Sequence, residues 1–278
     1  NTAQVLSDKM EPEEHLHAHV YHQGIASKGG NNVASLLIHT LQQLNIMREG
    51  EIGGELNVVF DNCSGQNKNN MVIRLVAFLV ELGYFKKVSF IFLVVGHTKN
   101  AADRLFNALK EVYRRENIGT MEKLYEKLNS SAKVTVYKTD ESQFLEWGGF
   151  LDLFYRELAG LVKQSHIFSM DKETCREGNK LLMDIRDSDI ETSTHVRYNV
   201  IKQTFYGRMQ AAKKFSDAIN LRPQIIRPAI GSKLTTLKPP GINPYTQVKL
   251  HEKFGPCLPP NEAAITCPKP TGNIYKMV

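Results

Sequence analysis

The segment 58–70 constrains the fold of this chain more than any other stretch. An apolar run ends abruptly at Asp61, and a polar, glycine-containing turn then leads into a new apolar pattern. The segment 92–110 has the same order, with a glycine turn after the apolar run and with Asp103 where the first turn of a helix is expected. An apolar run, a turn and an amphipathic pattern in this order are typical of a strand that leads into a helix. The chain is therefore predicted to contain strand–turn–helix units in succession.

The periodicity of the apolar residues predicts an α/β fold. Strands are predicted at 15–25, 55–61 and 87–95, and helices with one apolar face follow at 33–44, 67–82 and about 100–115. A further helix at 121–128 and strands at 132–137 and 167–170 are expected. This alternation favours a layer of partly parallel strands covered by helices.

The second half of the chain has weaker patterns. Residues 173–190 are highly charged and are expected on the surface, and residues 196–220 could hold a helix. Ten of the eleven prolines follow Arg222, which predicts an extended or irregular tail. The sequence thus favours three parts: a core at 1–118, a continuation of the core with a basic helical region at 119–221, and a proline-rich tail at 222–278.

Composition and charge narrow the class of protein. A chain of 278 residues with 42% hydrophobic and 23% charged residues is ordinary for a globular protein, and no run approaches the roughly 18 consecutive apolar residues of a membrane span. Four scattered cysteines without a CxxC pair favour reduced thiols in an intracellular protein, although Cys257 and Cys267 could pair. The net charge is +6, and residues 201–240 carry eight Lys or Arg against one Asp. This stretch, which includes Lys213 and Lys214, either binds nucleic acid or forms a solvated basic surface.

Asp61 and Asp103 suggest a metal site. The helix and strand between them can return the chain to the same edge of the sheet, where two carboxylates could bind Mg²⁺ or Mn²⁺. Lys110 lies two turns beyond Asp103 on the same helical stripe and would point toward a phosphate. The alternative is a structural role, because the helix dipole favours an Asp in a first turn and an Asp at a strand end often caps a turn.

Polar residues beside these aspartates suit a phosphate-bearing ligand. Gln66, Asn67 and Lys68 could hydrogen-bond a sugar-phosphate backbone. His97 directly follows a predicted strand and could contact a phosphate or a metal, or simply orient its loop. The turn at 28–30 could bind an anion or could only form the turn. Four histidines between residues 15 and 22 fall mostly on one strand face and either bind metal or line an exposed face.

Two motifs carry a resemblance to a known family. Residues 61–69, DNCSGQNKN, and residues 96–99, GHTK, followed by Asp103, resemble a transposon-derived domain of eukaryotes in the ribonuclease H-like DDE transposase and integrase group. Residues 21–35 also match the run before the first helix of that domain, and the resemblance covers about 15–116 well and continues weakly to the tail. It implies a ribonuclease H-like mixed sheet flanked by helices, with an irregular C-terminal extension.

The resemblance also implies roles for the aspartates. In the DDE group the acids come from the first strand, the fourth strand and a later helix. Asp61 corresponds to the second acid and Asp103 to the third. The first acid would lie upstream of Asn1, in a chain that is truncated, or else would be Asp8.

The function that the resemblance implies is that of the catalytic core of a DDE-type transposase, which uses Mg²⁺ or Mn²⁺ to cleave and transfer DNA strands. Lys68, Lys99 and Lys110 would contact phosphates, and the basic stretch 201–240 would add non-specific affinity for DNA. A homo-oligomer in a transposition complex, a nuclear location and no membrane partner are implied as well. Two alternatives stay open: a non-enzymatic DNA-binding remnant of such an element, and a ribonuclease H-like nuclease that acts on RNA or a hybrid.

Overall fold

The chain forms two compact units, each built from separate stretches of sequence. The larger unit comprises residues 28–98 and 142–237, and the smaller unit comprises residues 1–27, 99–141 and 238–278. The structure is a computed structural model that describes residues 2–3, 15–94, 107, 109–111, 114, 118–130, 134–188, 194–202 and 215–270.

Helices and strands alternate along the first half of the chain. The strands are β1 (Thr2–Ala3), β2 (Leu16–Val20), β3 (Gly53–Phe60), β4 (Phe85–Phe92), β5 (Val134–Lys138), β6 (Ile167–Asp171), β7 (Arg176–Glu177), β8 (Lys180–Arg186) and β9 (His195–Asn199). The helices are α1 (Gly30–Gln43), α2 (Asn70–Glu81), α3 (Met121–Asn129), α4 (Trp147–Asp152), α5 (Leu161–Gln164), α6 (Phe215–Lys233), α7 (Pro244–Lys249) and α8 (Pro260–Thr266). Within the described ranges, no helix has both the length and the apolar character needed to cross a bilayer.

A mixed sheet forms the centre of the larger unit. Its strand order is β3-β4-β6-β8-β7, and β9 pairs with β8. β3 and β4 run parallel and are joined by α2, whereas β4, β6, β8 and β9 pair antiparallel in succession. Because side chains alternate between the faces of a sheet, Val88, Phe90 and Phe92 are all buried on one face of β4. The predicted α/β architecture, a mixed sheet flanked by helices, is thus confirmed.

Helix α2 lies at the centre of the core. The side chain of Asn69 accepts a hydrogen bond from the backbone N–H of Val72 at 3.0 Å and so caps the helix. Ten consecutive residues of the helix, 72–81, are buried. A single apolar stripe would leave the opposite face in solvent, but α2 contacts the sheet through β4 and β6 as well as the helices α1 and α4. The predicted helix at 67–82 is therefore confirmed, and it begins at Asn70.

The proline-rich region contains helices, so the prediction of an irregular extension from Arg222 onward is wrong. Helix α6 carries Pro223 and Pro228 in its interior, where a proline costs about 3 kcal/mol. Ile226 is fully buried, and Arg222 is fully buried against Glu81. Packing of α6 in the larger unit explains how the helix tolerates both prolines.

Two further predictions for the second half of the chain are wrong in part. Residues 173–190 are not all on the surface, because they include β8, in which Leu181, Met183 and Ile185 are buried. β8 lies inside the sheet between β6 and β9, and so its apolar face enters the core. Of the helix expected within residues 196–220, residues 196–199 instead belong to strand β9, residues 203–214 lie outside the described part of the chain, and residues 215–220 form the start of α6.

The smaller unit is organised around β2, which pairs antiparallel with β1 and parallel with β5. Leu16 and Ala18 on one face of β2 pack with Leu109 and Leu128. On the other face, three histidine–hydroxyl pairs connect β2 to β5 and the residue after it: His15 with Thr135 at 2.8 Å, His17 with Tyr137 at 3.0 Å and His19 with Thr139 at 3.1 Å. His17 is only 7% exposed, so the histidine face is not simply open to solvent.

Candidate functional site

Asp61 is exposed at the exit of β3, where the sequence predicts a functional carboxylate. Its Oδ1 atom accepts hydrogen bonds from the backbone N–H of Cys63, at 3.2 Å, and from the side-chain amide of Asn67. The bond to an N–H two residues further on is the pattern by which an Asp stabilises a turn. No residue in the described part of the chain donates to Oδ2. One oxygen therefore holds the loop, and the other is available to a ligand.

The loop after Asp61 is closed by its own backbone. The carbonyl oxygen of Cys63 accepts from the N–H groups of Gln66, Asn67 and Lys68 at 3.2, 2.8 and 3.0 Å. Asn69 then joins the loop to α2, since its Nδ2 donates to the carbonyl oxygen of Gln66 at 2.9 Å while its Oδ1 caps the helix. The polar sequence of residues 61–69 thus forms a compact, self-bonded turn.

Lys68 anchors this loop in the larger unit. The residue is 6% exposed. Its ammonium donates to the carbonyl oxygen of Lys163 at 3.4 Å and lies 6.0 Å from the centroid of the Phe92 ring. Burial lowers the pKa of the Lys68 ammonium. The side chains of Gln66 and Asn67 are half-buried and partly exposed to solvent. A phosphate can therefore reach these two side chains more easily than the buried Lys68.

The glycine-rich turn at residues 28–30 leads directly into α1, which begins without a side-chain cap. Asn31 in the first turn bridges to another helix start. Its Nδ2 donates to Glu146 Oε2 at 2.9 Å, and its Oδ1 accepts from the N–H of Gly148 at 2.8 Å. Glu146 in turn caps α4 by accepting from the N–H of Gly149 at 2.9 Å. The starts of α1 and α4 are therefore tied together by one asparagine and one glutamate.

This bridge is a part of the site that the sequence analysis missed. Asn31 and Glu146 are 115 positions apart, so no local spacing indicates the contact. A signal was present on one side only: Glu146 lies one residue before the pair Gly148 and Gly149, where an acidic side chain can cap a short helix.

Several predicted site residues lie outside the described part of the chain: Asp8, His97, Lys99, Asp103, Lys213 and Lys214. Lys110 is described and belongs to the smaller unit, whereas Asp61 belongs to the larger one. Within the described ranges, no group of three or more His, Cys, Asp or Glu side chains is arranged to hold a metal ion. Of the two carboxylates predicted to bind metal, Asp61 is therefore the one that the structure describes.

Three of the charges in the basic stretch 201–240 are engaged inside the larger unit. The ammonium of Lys202 lies 2.6 Å from a carboxylate oxygen of Asp152, and this hydrogen bond lowers the pKa of the Asp152 carboxyl. Arg222 is paired with Glu81. The Arg227 guanidinium donates to the backbone carbonyl oxygen of Leu82 and lies over the aromatic ring of Tyr84. These three side chains stabilise the fold, while Lys233 and Lys238 are exposed.

Comparison with known proteins assigns the chain to a family. The chain belongs to a domain family of unknown function, DUF7869, whose sequence model matches residues 10–213, more than half of the chain. No curated protein and no solved structure matches it. The matched range includes the turn at 28–30, the loop at 61–69 and the bridge from Asn31 to Glu146. It ends before α6, although Arg222 and Ile226 of that helix are fully buried.

Proposed function

We propose that this chain is the catalytic-core portion of a DDE-type transposase with a ribonuclease H-like fold, which cleaves and transfers DNA strands with the help of Mg²⁺ or Mn²⁺. The observation that carries the proposal is the state of the Asp61 carboxylate. It is exposed at the carboxyl end of β3, and Oδ1 is fixed by two donors while Oδ2 accepts from no described residue.

The position of this carboxylate supports the proposal. In α/β sheets, ligands bind beyond the carboxyl ends of the parallel strands, and β3 is parallel to β4. Carboxylates that bind metals are themselves held by hydrogen bonds from neighbouring groups, which fixes their orientation. Asn67 and the N–H of Cys63 do this for Asp61.

The chemistry of the described donors is compatible with a hard cation. Mg²⁺ is commonly held by one or two carboxylates, with water and substrate phosphates completing its shell. Asp61 would supply one carboxylate and Asp103 the second. A bound ion would polarise the phosphate and assist deprotonation of the attacking hydroxyl or water. Gln66 and Asn67 would hydrogen-bond the DNA backbone, and Lys68 would hold the loop.

The proposal includes the partners that the resemblance implies. The partner is DNA, a homo-oligomer assembles with it in a transposition complex, and the protein acts in the nucleus. His97, Lys99, Lys110, Lys213 and Lys214 would contribute phosphate contacts.

The experiment is a comparison of two aspartate variants for Mn²⁺ binding and for cleavage of labelled DNA. Asp61→Asn should abolish metal-dependent cleavage and the paramagnetic broadening of NMR signals from residues 61–69. The matched control is Asp187→Asn, an exposed aspartate directly after β8 of the same sheet, and it should leave both unchanged. Cleavage that survives in Asp61→Asn would exclude Asp61 as a metal ligand.

A second candidate function is non-enzymatic binding of nucleic acid by a remnant of such an element. It is favoured by the absence, within the described ranges, of three or more grouped metal-binding side chains, together with a net charge of +6. In that case the wild-type chain binds DNA with an affinity that falls steeply with salt. It cleaves no DNA with Mg²⁺ or Mn²⁺, and Asp61→Asn binds as well as the wild type.

A further inference from the structure

Gly30, at the start of α1, packs directly on the residue that caps α2. A β-carbon at position 30 would lie 2.9 Å from Nδ2 and 3.1 Å from Oδ1 of Asn69, and it would also overlap the methyl group of Met71. Contacts under 3.0 Å force a neighbour to move. A side chain at position 30 therefore displaces the Met71 side chain and the Asn69 amide, because α1 and α2 approach closely, whereas a β-carbon at Gly29 meets nothing within 4 Å.

Asn69 is also the first member of a chain of hydrogen bonds that ends at Asp61. Its Nδ2 donates to the carbonyl oxygen of Gln66 at 2.9 Å. The N–H of Gln66 donates to the carbonyl oxygen of Cys63 at 3.2 Å, and the N–H of Cys63 donates to Oδ1 of Asp61 at 3.2 Å. Moving the amide of Asn69 therefore displaces, in sequence, the groups that orient the Asp61 carboxylate.

We infer that Gly30 and Asn69 are positioning residues for Asp61: the close contact between α1 and Asn69 fixes the loop 61–69, and through it the carboxylate. The inference gives Gly30, the last residue of the glycine turn, a role in the same site as the loop motif. That Asp61 is a metal ligand rests on the proposed function, whereas the positioning of the loop does not.

The first experiment measures amide hydrogen exchange in the loop, which requires neither metal nor DNA. Gly30→Ala pushes on Asn69 and should accelerate exchange of the amides of Cys63, Gln66 and Lys68 by at least about tenfold, the factor that corresponds to the loss of one modest hydrogen bond. Gly29→Ala is the matched control, because it adds the same methyl group one residue earlier in open space. It should leave the exchange of these three amides at the wild-type rate.

A second variant covers the case in which Gly30→Ala fails to fold. Asn69→Asp keeps an oxygen that caps α2, and Asp is as good a capping residue as Asn, but it removes the Nδ2 donor to Gln66. It should loosen the loop in the same way while amides in the middle of α2 keep their protection. Loop exchange at the wild-type rate in either folded variant, or equal acceleration in Gly29→Ala, would overturn the inference.

The affinity for Mn²⁺ separates this inference from the proposed function. If the wild-type chain binds Mn²⁺ at Asp61, Gly30→Ala and Asn69→Asp should weaken binding several-fold and Gly29→Ala should not. If the wild-type chain binds no Mn²⁺ but the loop exchange still responds only to Gly30→Ala and Asn69→Asp, the metal proposal fails and the positioning of Asp61 stands.

Discussion

Arg222 of α6 donates two hydrogen bonds to the carboxylate of Glu81 at the end of α2, at 2.6 and 3.0 Å, and both side chains are completely buried. The hydroxyl of Tyr155 donates to the same carboxylate at 2.8 Å. A buried ion pair adds little net stability compared with apolar side chains of the same size, but removal of one partner leaves an uncompensated charge. The pair therefore makes α6 an integral part of the larger unit.

The Arg222–Glu81 pair leads to a prediction about stability. Arg222→Met should lower the free energy of unfolding by about 3–5 kcal/mol, because it leaves the Glu81 carboxylate buried and unpaired. Urea unfolding followed by the fluorescence of Trp147, the single tryptophan of the chain and a buried residue of the larger unit, measures this. The control is Arg48→Met, which breaks an exposed ion pair with Glu51 and should cost at most about 1 kcal/mol.

Replacement of all three buried polar side chains tests whether the unpaired Glu81 charge causes the loss of stability in Arg222→Met. The triple variant Arg222→Met, Glu81→Leu and Tyr155→Phe removes every polar group of the cluster and should recover most of the stability lost in Arg222→Met alone. A triple variant that is as unstable as Arg222→Met would mean that the shape of the arginine, rather than its charge, is what the core requires.

The family match ends at residue 213, before α6, and this leads to a second prediction about stability. A chain shortened to residue 213 keeps the matched range but loses α6, and so it loses Arg222, Ile226 and Ala229 from the core of the larger unit. It should not show cooperative unfolding by Trp147 fluorescence, whereas a chain that ends at residue 237, the last of the larger unit, should show it for that unit. A cooperative transition in the shorter chain would show that α6 is dispensable.

The bridge between α1 and α4 can be tested through Asn31. Asn31→Ala removes the partner of Glu146 Oε2 and the partner of the Gly148 N–H, which should cost about 1–3 kcal/mol of unfolding free energy if these groups stay unsatisfied. Asn57→Ala is the control, since Asn57 is exposed on β3 and its replacement should change stability by less than about 0.5 kcal/mol. Equal stability of the two variants in urea would argue against the bridge.

His17 makes the smaller unit sensitive to acid. Burial, with a smaller contribution from the charge of His15, lowers the pKa of His17 below its usual 6.5. The folded state therefore binds fewer protons than the unfolded state below pH 6.5, so stability is retained above that pH and falls as the pH decreases below it.

Amide exchange of β2 at pH 7.5 and pH 5 should show this loss of protection in the wild type and a smaller loss in His17→Gln. His22→Gln replaces an exposed histidine of the same region and is the control. Protection of β2 that is the same at both pH values in the wild type would contradict the assignment.

The confirmed parts of the fold are those in which local pattern and tertiary packing agree. The parallel pair β3 and β4 with α2 between them follows from two apolar runs and from the helical apolar pattern between them, all within forty residues. In β8, by contrast, the short apolar run at residues 181–183 lies between charged residues, and this charge locally favours a surface position. Only the pairing of β8 between β6 and β9 places its apolar side chains in the core.

The candidate site likewise combines local features that the sequence indicates with contacts that only the folded structure defines. The turn made by Asp61 and its N–H partner at Cys63 is a local feature, and the sequence indicates a strand-end aspartate at that position. The contacts of Gly30 with Asn69 and of Arg222 with Glu81 join residues that are far apart in sequence, and only the three-dimensional packing defines them. Prolines at 223 and 228 argued locally against a helix that packing nonetheless stabilises.

The assignment of separate stretches to each unit has a consequence for biosynthesis. The larger unit needs strands from before residue 98 and the helix that ends at Lys233, and the smaller unit needs residues from both sides of that range. Neither unit can complete its core until most of the chain has been translated, although strands close in sequence, such as β3 and β4, can pair earlier. Contacts between distant residues slow folding because the chain must lose loop entropy before it gains them, and such a nascent chain is a natural client for chaperones that shield exposed strands.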